Sequence, residues 1–147
     1  MAVSMDMGAV RRATPEDLDA LFRLDGVAPG DLERRTRLNT RVRSGEVILF
    51  ERDGYPSGYA IIRPRSFFGC DFVESIMVAA DDRRFGIGSL LLRQVVILSS
   101  TVRIFTSTNR SNTPMTALLH KESWQFSGQL EGIDVGDPEM VYYKDRA

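Results

Sequence analysis

The sequence predicts a mixed α/β domain built on one central sheet. Two observations carry this reading. Short apolar, β-rich runs alternate with stretches of helical periodicity, and the early runs are linked as hairpins, so antiparallel and parallel pairings must share a sheet. The runs number about six or seven, and helices are expected on both faces of the sheet.

The chain has 147 residues, 43% of them hydrophobic and 27% charged. That length fits one domain, 1–147, and the composition is too apolar for a disordered chain. A net charge of -1 excludes a chain-wide basic surface for nucleic acid, so any anion site must be local. The one cysteine, Cys70, and the one histidine, His120, rule out an internal disulfide and argue against a multi-ligand metal centre. Met1 to Gly8 lacks the basic start and apolar run of a secretory leader, and no apolar stretch approaches the ~20 residues needed to cross a bilayer. A cytoplasmic protein without membrane insertion is expected. Only Lys121 and Lys144 are lysines among the 19 basic residues.

In chain order, Val10-Arg11-Arg12 reads as a first strand. Thr14-Pro15-Glu16-Asp17 supplies an N-cap, a proline at the first helical position and first-turn acids. Leu18, Leu21, Phe22 and Val27 follow at helical spacing, until Pro29-Gly30 ends that helix. A second helix, Asp31 to Arg43, carries Arg34, Arg35, Arg37, Arg41 and Arg43, either as a solvated face or as a lip for an acidic partner.

From Glu46 the period changes to that of strands. Val47–Phe50 and Tyr59–Ile62 form a hairpin across 53–58, and Phe72–Val78 is a third run. After the loop at Asp81 to Arg84, Gly88 opens a helix that is apolar nearly all round and is expected to be buried. Val102–Thr106, the helix Asn112–Lys121, and the strand pair Trp124–Leu130 and Met140–Lys144 complete the chain.

The chemistry concentrates at Arg83-Arg84-Phe85-Gly86-Ile87-Gly88. Glycines between a strand and a buried helix let the backbone approach a ligand, while unpaired N–H groups and the helix dipole favour an anion. The arginines add charge-assisted contacts, so a pyrophosphate is the natural guest. The residues match neither a P-loop nor a dinucleotide fingerprint, since the lysine and the third glycine are missing.

The stretch Val78 to Leu91, with Arg83-x-x-Gly86-x-Gly88 inside it, resembles the acetyl-CoA motif of the GNAT N-acetyltransferases. It follows a strand with Phe72, Glu74 and Val78 in the family's spacing, and it precedes a strand, an asparagine-bearing turn and a helix. The resemblance covers nearly the whole chain and implies a GNAT-like fold. It also implies an N-acetyltransferase that moves an acetyl group from acetyl-CoA to a primary amine by direct attack, without a metal. By position, Ile76, Met77 and Val78 would line the pantetheine arm. Arg83, Arg84, Phe85, Gly86, Ile87, Gly88 and Ser89 would hold the phosphates. Asn112 would contact the coenzyme or simply cap its helix.

The resemblance implies that the backbone N–H near Val78 is the oxyanion donor, and that Glu74 is the general base. Glu74 shares a strand face with Ile76 and Val78; otherwise it faces solvent or pairs with an arginine. No covalent intermediate is implied, so Cys70 is read as a packing or turn residue. Where many members carry a tyrosine to protonate the thiolate, this chain has Leu119. His120 points about 100° away on the helix, and Tyr142 or Tyr143 are the substitutes. A thiolate also leaves unaided far more readily than an alkoxide.

Two other readings stand beside the enzyme: a non-catalytic acyl-CoA-binding or sensing module, and an interaction domain that uses the Arg34–Arg43 face. Glu131, Asp134, Asp137 and Glu139 form either an acidic rim that attracts an amine or a solvated loop. The acceptor is a small-molecule or peptide amine. The resemblance also implies a homodimer formed through the late strands, although no apolar patch in the sequence marks such an interface.

Overall fold

The computed structural model describes residues 8–146, apart from the side chain of Arg84. Met1–Met7, read above for a leader, and Ala147 lie outside the described residues. The described residues form seven strands and four α-helices. In order these are β1 (Gly8–Arg12), α1 (Leu18–Leu24), α2 (Leu32–Arg43), β2 (Val47–Arg52), β3 (Tyr55–Phe67), β4 (Cys70–Val78), α3 (Ile87–Leu98), β5 (Arg103–Asn109), α4 (Thr113–Lys121), β6 (Gln125–Leu130) and β7 (Glu139–Asp145). Short 3-10 turns occupy Pro15–Asp17 and Ala80–Phe85. All seven strands join one sheet in the order β1-β2-β3-β4-β5-β7-β6. The β4–β5 pair is parallel, whereas β1–β2, β2–β3, β5–β7 and β6–β7 are antiparallel.

The described chain divides into two compact units, residues 8–61 with 75–91 and residues 62–74 with 92–146. In the first unit, Thr14 and Asp17 form a capping box, with the Thr14 N–H donating to Asp17 Oδ2 at 2.8 Å. Asp17 also accepts from Arg11 at 2.9 Å, and the guanidinium holds its carboxyl below the usual range. The expected helix thus starts as a 3-10 turn and becomes α-helical at Leu18. Asp31 caps α2 by accepting from the Arg34 N–H at 3.2 Å. The β2–β3 connection is shorter than the sequence suggests: Asp53 and Gly54, both at positive φ, make the turn alone, and a register shift at Phe50/Glu51 lets β3 begin at Tyr55.

Leu49 pairs with Tyr59 and Val47 with Ile61. Their side chains enter one core with Leu21, Phe22 and Val27 from the α1 region and with Leu38 and Val42 from α2. The alternate residues Ile48, Phe50 and Ala60 are buried as well, as expected for strands covered on both faces. α3 supplies the second cover at Gly58, where an added Cβ would lie 3.1 Å from Ile87 and 3.2 Å from Leu91.

In the second unit, β5 and β7 pair over their full length, and β6 forms the outer edge of the sheet. Asp71, only 2% exposed, ties the start of β4 to the loop before β5. It accepts from the N–H groups of Arg65 and Ser100 and from the hydroxyls of Ser99 and Ser100. Burial pushes the Asp71 carboxyl up, but these four donors outweigh it and hold the group below the usual carboxylate range. The Lys144 ammonium donates to the Glu122 carbonyl at 2.9 Å, and Arg93 donates to the Glu122 carboxylate.

One expectation fails in part. Leu91, Leu92 and Val95 of α3 are fully buried, but Ile97 is 63% exposed and Leu98 is 49% exposed. Ile97 falls on the side of the helix away from the buried stripe, and Leu98 closes the last turn, so burial stops before the apolar pattern does.

Candidate active site

The site is built at the end of β4. β4 keeps parallel register with β5 only through Asp71, Phe72 and Val73, paired with Ile104, Phe105 and Thr106. Among the described residues the register stops there, although β4 runs on to Val78. Residues 74–78 are all half-buried even though their strand is central. Met77 packs against the α1–α2 core. By alternation Glu74, Ile76 and Val78 share the opposite face.

Past Val78 the chain makes one 3-10 turn, Ala80–Phe85, then a left-handed residue, Gly86 at φ 74°, and enters α3 at Ile87. A side chain at Gly86 would be strained in that conformation. Ile87 is buried and anchors the helix start against Gly58. Ser89, two residues into α3, is 5% exposed, and its hydroxyl finds no partner among the described residues. A buried unsatisfied hydroxyl beside the unpaired N–H groups of a helix start suits an anion. The residues present therefore fit a pyrophosphate group.

The rest of the predicted loop behaves unevenly. Arg83 Nε turns back to donate to the Val78 carbonyl at 3.2 Å. Phe85 is 53% exposed under the Arg52 guanidinium, which lies 4.5 Å from the ring centroid. Gly88 is half-buried. The Arg84 side chain falls outside the described residues.

Among the acid–base candidates, Glu74 is 24% exposed and accepts from Arg63 at 3.3 Å, so its carboxylate is the arginine-paired one the sequence allowed. Asn112 caps α4, its Oδ1 accepting from the Met115 N–H at 3.2 Å. Leu119 is fully buried. Tyr142 is buried with the His120 ring 5.9 Å away, and the Tyr143 hydroxyl donates to Gln125. Cys70 is half-buried at the start of β4.

The arginines of α2 are largely engaged locally. Arg34 pairs with Asp25, Arg37 with Glu33 and Arg41 with Glu46, Arg43 donates to Asn39, and Arg35 covers the Phe22 ring. They are not a row of uncommitted cations, which removes the main support for an interaction face. The β6–β7 acids are engaged too: Asp134 accepts from Asn109, Asp137 from Ser111, and Glu139 from Ser107.

Sequence reasoning missed two arrangements in the first unit. Tyr59 is buried close to the charge of Asp25, and Arg34 pairs with the same Asp25 at 2.7 Å. Burial first, then the charge of Asp25, pushes the Tyr59 hydroxyl well above its ordinary value. The second is the contact of Arg52 with Asp82 at 2.7 Å. Both join residues far apart in sequence, and no local spacing signals them. Among the described residues no group of His, Cys, Asp and Glu could hold a metal ion, and no helix is long and apolar enough to cross a membrane.

Residues 15–123 match the acetyltransferase (GNAT) family, and the chain belongs to that family. A GNAT-family acetyltransferase structure from Bacillus cereus is 32% identical, with a TM-score of 0.88, covering 96% of this chain and 99% of that one. A ribosomal-protein-alanine N-acetyltransferase from Brucella melitensis is 25% identical, with a TM-score of 0.72, covering 93% and 99%. A Salmonella typhimurium protein solved with its cofactor acetyl-CoA shares the fold at 18% identity and a TM-score of 0.72, covering 96% and 95%. No curated protein matches the sequence significantly.

Proposed function

We propose that this acetyltransferase moves an acetyl group from acetyl-CoA to a primary amine by direct attack, with the coenzyme held at the start of α3. The observation that carries the reading is the left-handed Gly86 followed by a helix start with the buried, unpartnered Ser89 hydroxyl. Acetyl-CoA supplies an acyl group already activated as a thioester. The N–H groups at Gly86–Ser89 hold its pyrophosphate, helped by the dipole of α3 and by Arg83 and Arg84. Phe85 borders the phosphates, and Ile76, Met77 and Val78 offer a strand edge to the pantetheine amides.

The amine nitrogen attacks the thioester carbon. A C–N bond forms, the C–S bond breaks, and the sulfur leaves as thiolate. The Val78 N–H stabilises the oxyanion, and the Glu74 carboxylate takes the proton that nitrogen loses. With leucine at 119 the thiolate leaves without a tyrosine from α4, as the acidity of thiols permits. Asn112 already uses Oδ1 as a cap, so any contact with the coenzyme would fall to its Nδ2. The acceptor is a small-molecule or peptide amine.

Calorimetric titration of acetyl-CoA into wild type and Gly88→Glu tests the site. A carboxylate in the anion cradle should weaken binding by on the order of a hundredfold, about 2.7 kcal/mol. Equal affinities would remove the cradle from the mechanism. Glu74→Gln should lower kcat by roughly 10²-fold or more while acetyl-CoA binding persists; an unchanged kcat would retire Glu74 as the base.

A further inference from the structure

The acetyl-CoA site proposed above sits in a poorly anchored turn. Ala80, Asp81, Arg83, Phe85 and Gly86 are exposed, and none of the turn's described side chains belongs to the buried core. It also carries two carboxylates, Asp81 and Asp82, where an anion is to bind. Left alone, such a turn would sample many conformations and repel the pyrophosphate.

One side chain from another element answers both problems. Arg52 is the last residue of β2, paired with Gly8 on one side and Tyr55 on the other, so its backbone is fixed in the ladder. Its guanidinium donates to Asp82 Oδ1 at 2.7 Å, and both side chains are mostly shielded, at 23% and 22% exposed. The same guanidinium covers the Phe85 ring at 4.5 Å. These two contacts grip the turn at its third and last residues.

We infer that Arg52 is a positioning residue for the coenzyme: it clamps the Ala80–Phe85 turn in its binding-competent shape and cancels the charge of Asp82 beside the phosphate cradle. The inference rests on the acetyl-CoA reading of that cradle. Apparent affinity falls in proportion to the fraction of molecules whose turn is correctly formed, so loss of the clamp acts on binding. The bond-making step is untouched, because the contacts of Arg52 are with Asp82 and Phe85 and not with the proposed base or oxyanion donor.

The experiment measures CoA affinity by calorimetry and kcat and KM for acetyl-CoA in wild type, Arg52→Met, Arg52→Lys, Asp82→Asn and the Arg52→Met/Asp82→Asn pair. Arg52→Met should raise Kd and KM about tenfold with kcat within about twofold of wild type. Arg52→Lys should fall between, since it keeps the charge but loses the planar stacking on Phe85. Asp82→Asn keeps an oxygen to accept from Arg52 and should bind near wild type, and adding it to Arg52→Met should recover only the share of affinity lost to the uncompensated charge, because the turn stays unclamped. If Arg52→Met fails to fold, as a thermal melt reveals, Arg52→Lys decides the question on the same readouts. Wild-type binding with unchanged affinity in the Arg52 variants overturns the clamp, as does a loss carried by kcat. Failure of wild type itself to bind CoA overturns the cradle, and the clamp with it.

Discussion

Ser89 makes a prediction with two opposite signs. A buried hydroxyl without a partner costs stability, and replacing it by an apolar group is neutral or favourable. Ser89→Ala should therefore leave the apo protein's melting temperature unchanged or slightly raised. If the hydroxyl is kept to donate to a phosphate oxygen, the same variant should weaken acetyl-CoA binding by roughly three- to tenfold, the worth of one hydrogen bond. A melt and a titration on one sample check both halves. Parallel losses in stability and affinity would mean that Ser89 matters only for packing. Nothing in the sequence separated Ser89 from its loop neighbours, because a serine in a helix start is ordinary until its hydroxyl is found buried.

Elements carry the site through one close approach. At Gly58 in β3 a Cβ would stand 2.9 Å from the Met77 carbonyl, besides its contacts with Ile87 and Leu91. Strand β4 and the first turn of α3 are thus seated against the same residue. Gly58→Ala should destabilise the protein by about 1–3 kcal/mol through overpacking, and because α3 must shift, acetyl-CoA affinity should fall as well. Denaturant melts and titration measure the two effects. Unchanged affinity despite lost stability would show that β4 yields instead of α3.

The elements themselves were largely legible. Thr14-Pro15 and Asn112-Thr113-Pro114 announced the helix starts, the stretch 53–58 announced the hairpin though not its two-residue turn, and Gly86-x-Gly88 announced the turn into α3, each by local backbone chemistry. The exposed end of α3 was not legible, because an apolar pattern says which residues could be buried and not how far their cover extends. The Arg52–Asp82 pair and the nearness of Asp25 to Tyr59 were equally hidden, since they depend on which elements become neighbours. The Arg63 partner of Glu74 was foreseen only as one option, because a lone carboxylate in a strand does not reveal what stands on the next strand.

For the whole molecule, acid sensitivity follows from Asp71. Its folded-state carboxyl is depressed, so its contribution to stability is fully present above the unfolded value of about 3.9 and is lost as pH falls through the lower folded value. Asp71→Asn should destabilise the protein near neutrality by on the order of 2–3 kcal/mol, because an amide presents donors to the donors of Arg65 and Ser100. It should also flatten the stability-versus-pH curve below about pH 4. Denaturant melts across pH 2.5–7 test this, and a mutant curve parallel to wild type would reassign the acid limb to other carboxylates such as Asp17.

The tether between Lys144 and the Glu122 carbonyl bears on how such an enzyme treats itself. Under the proposed transfer to an amine, acetyl-CoA held at high local concentration endangers the protein's own surface amines. This chain exposes few ε-amino groups, since Lys121 and Lys144 are its only lysines and the Lys144 nitrogen is occupied in donating to a backbone oxygen. Prolonged incubation with acetyl-CoA should thus mark Lys121 well ahead of Lys144 in a peptide mass map. The arginines that form the ion pairs of both units are inert to this chemistry, so self-modification would leave the fold's electrostatics nearly intact.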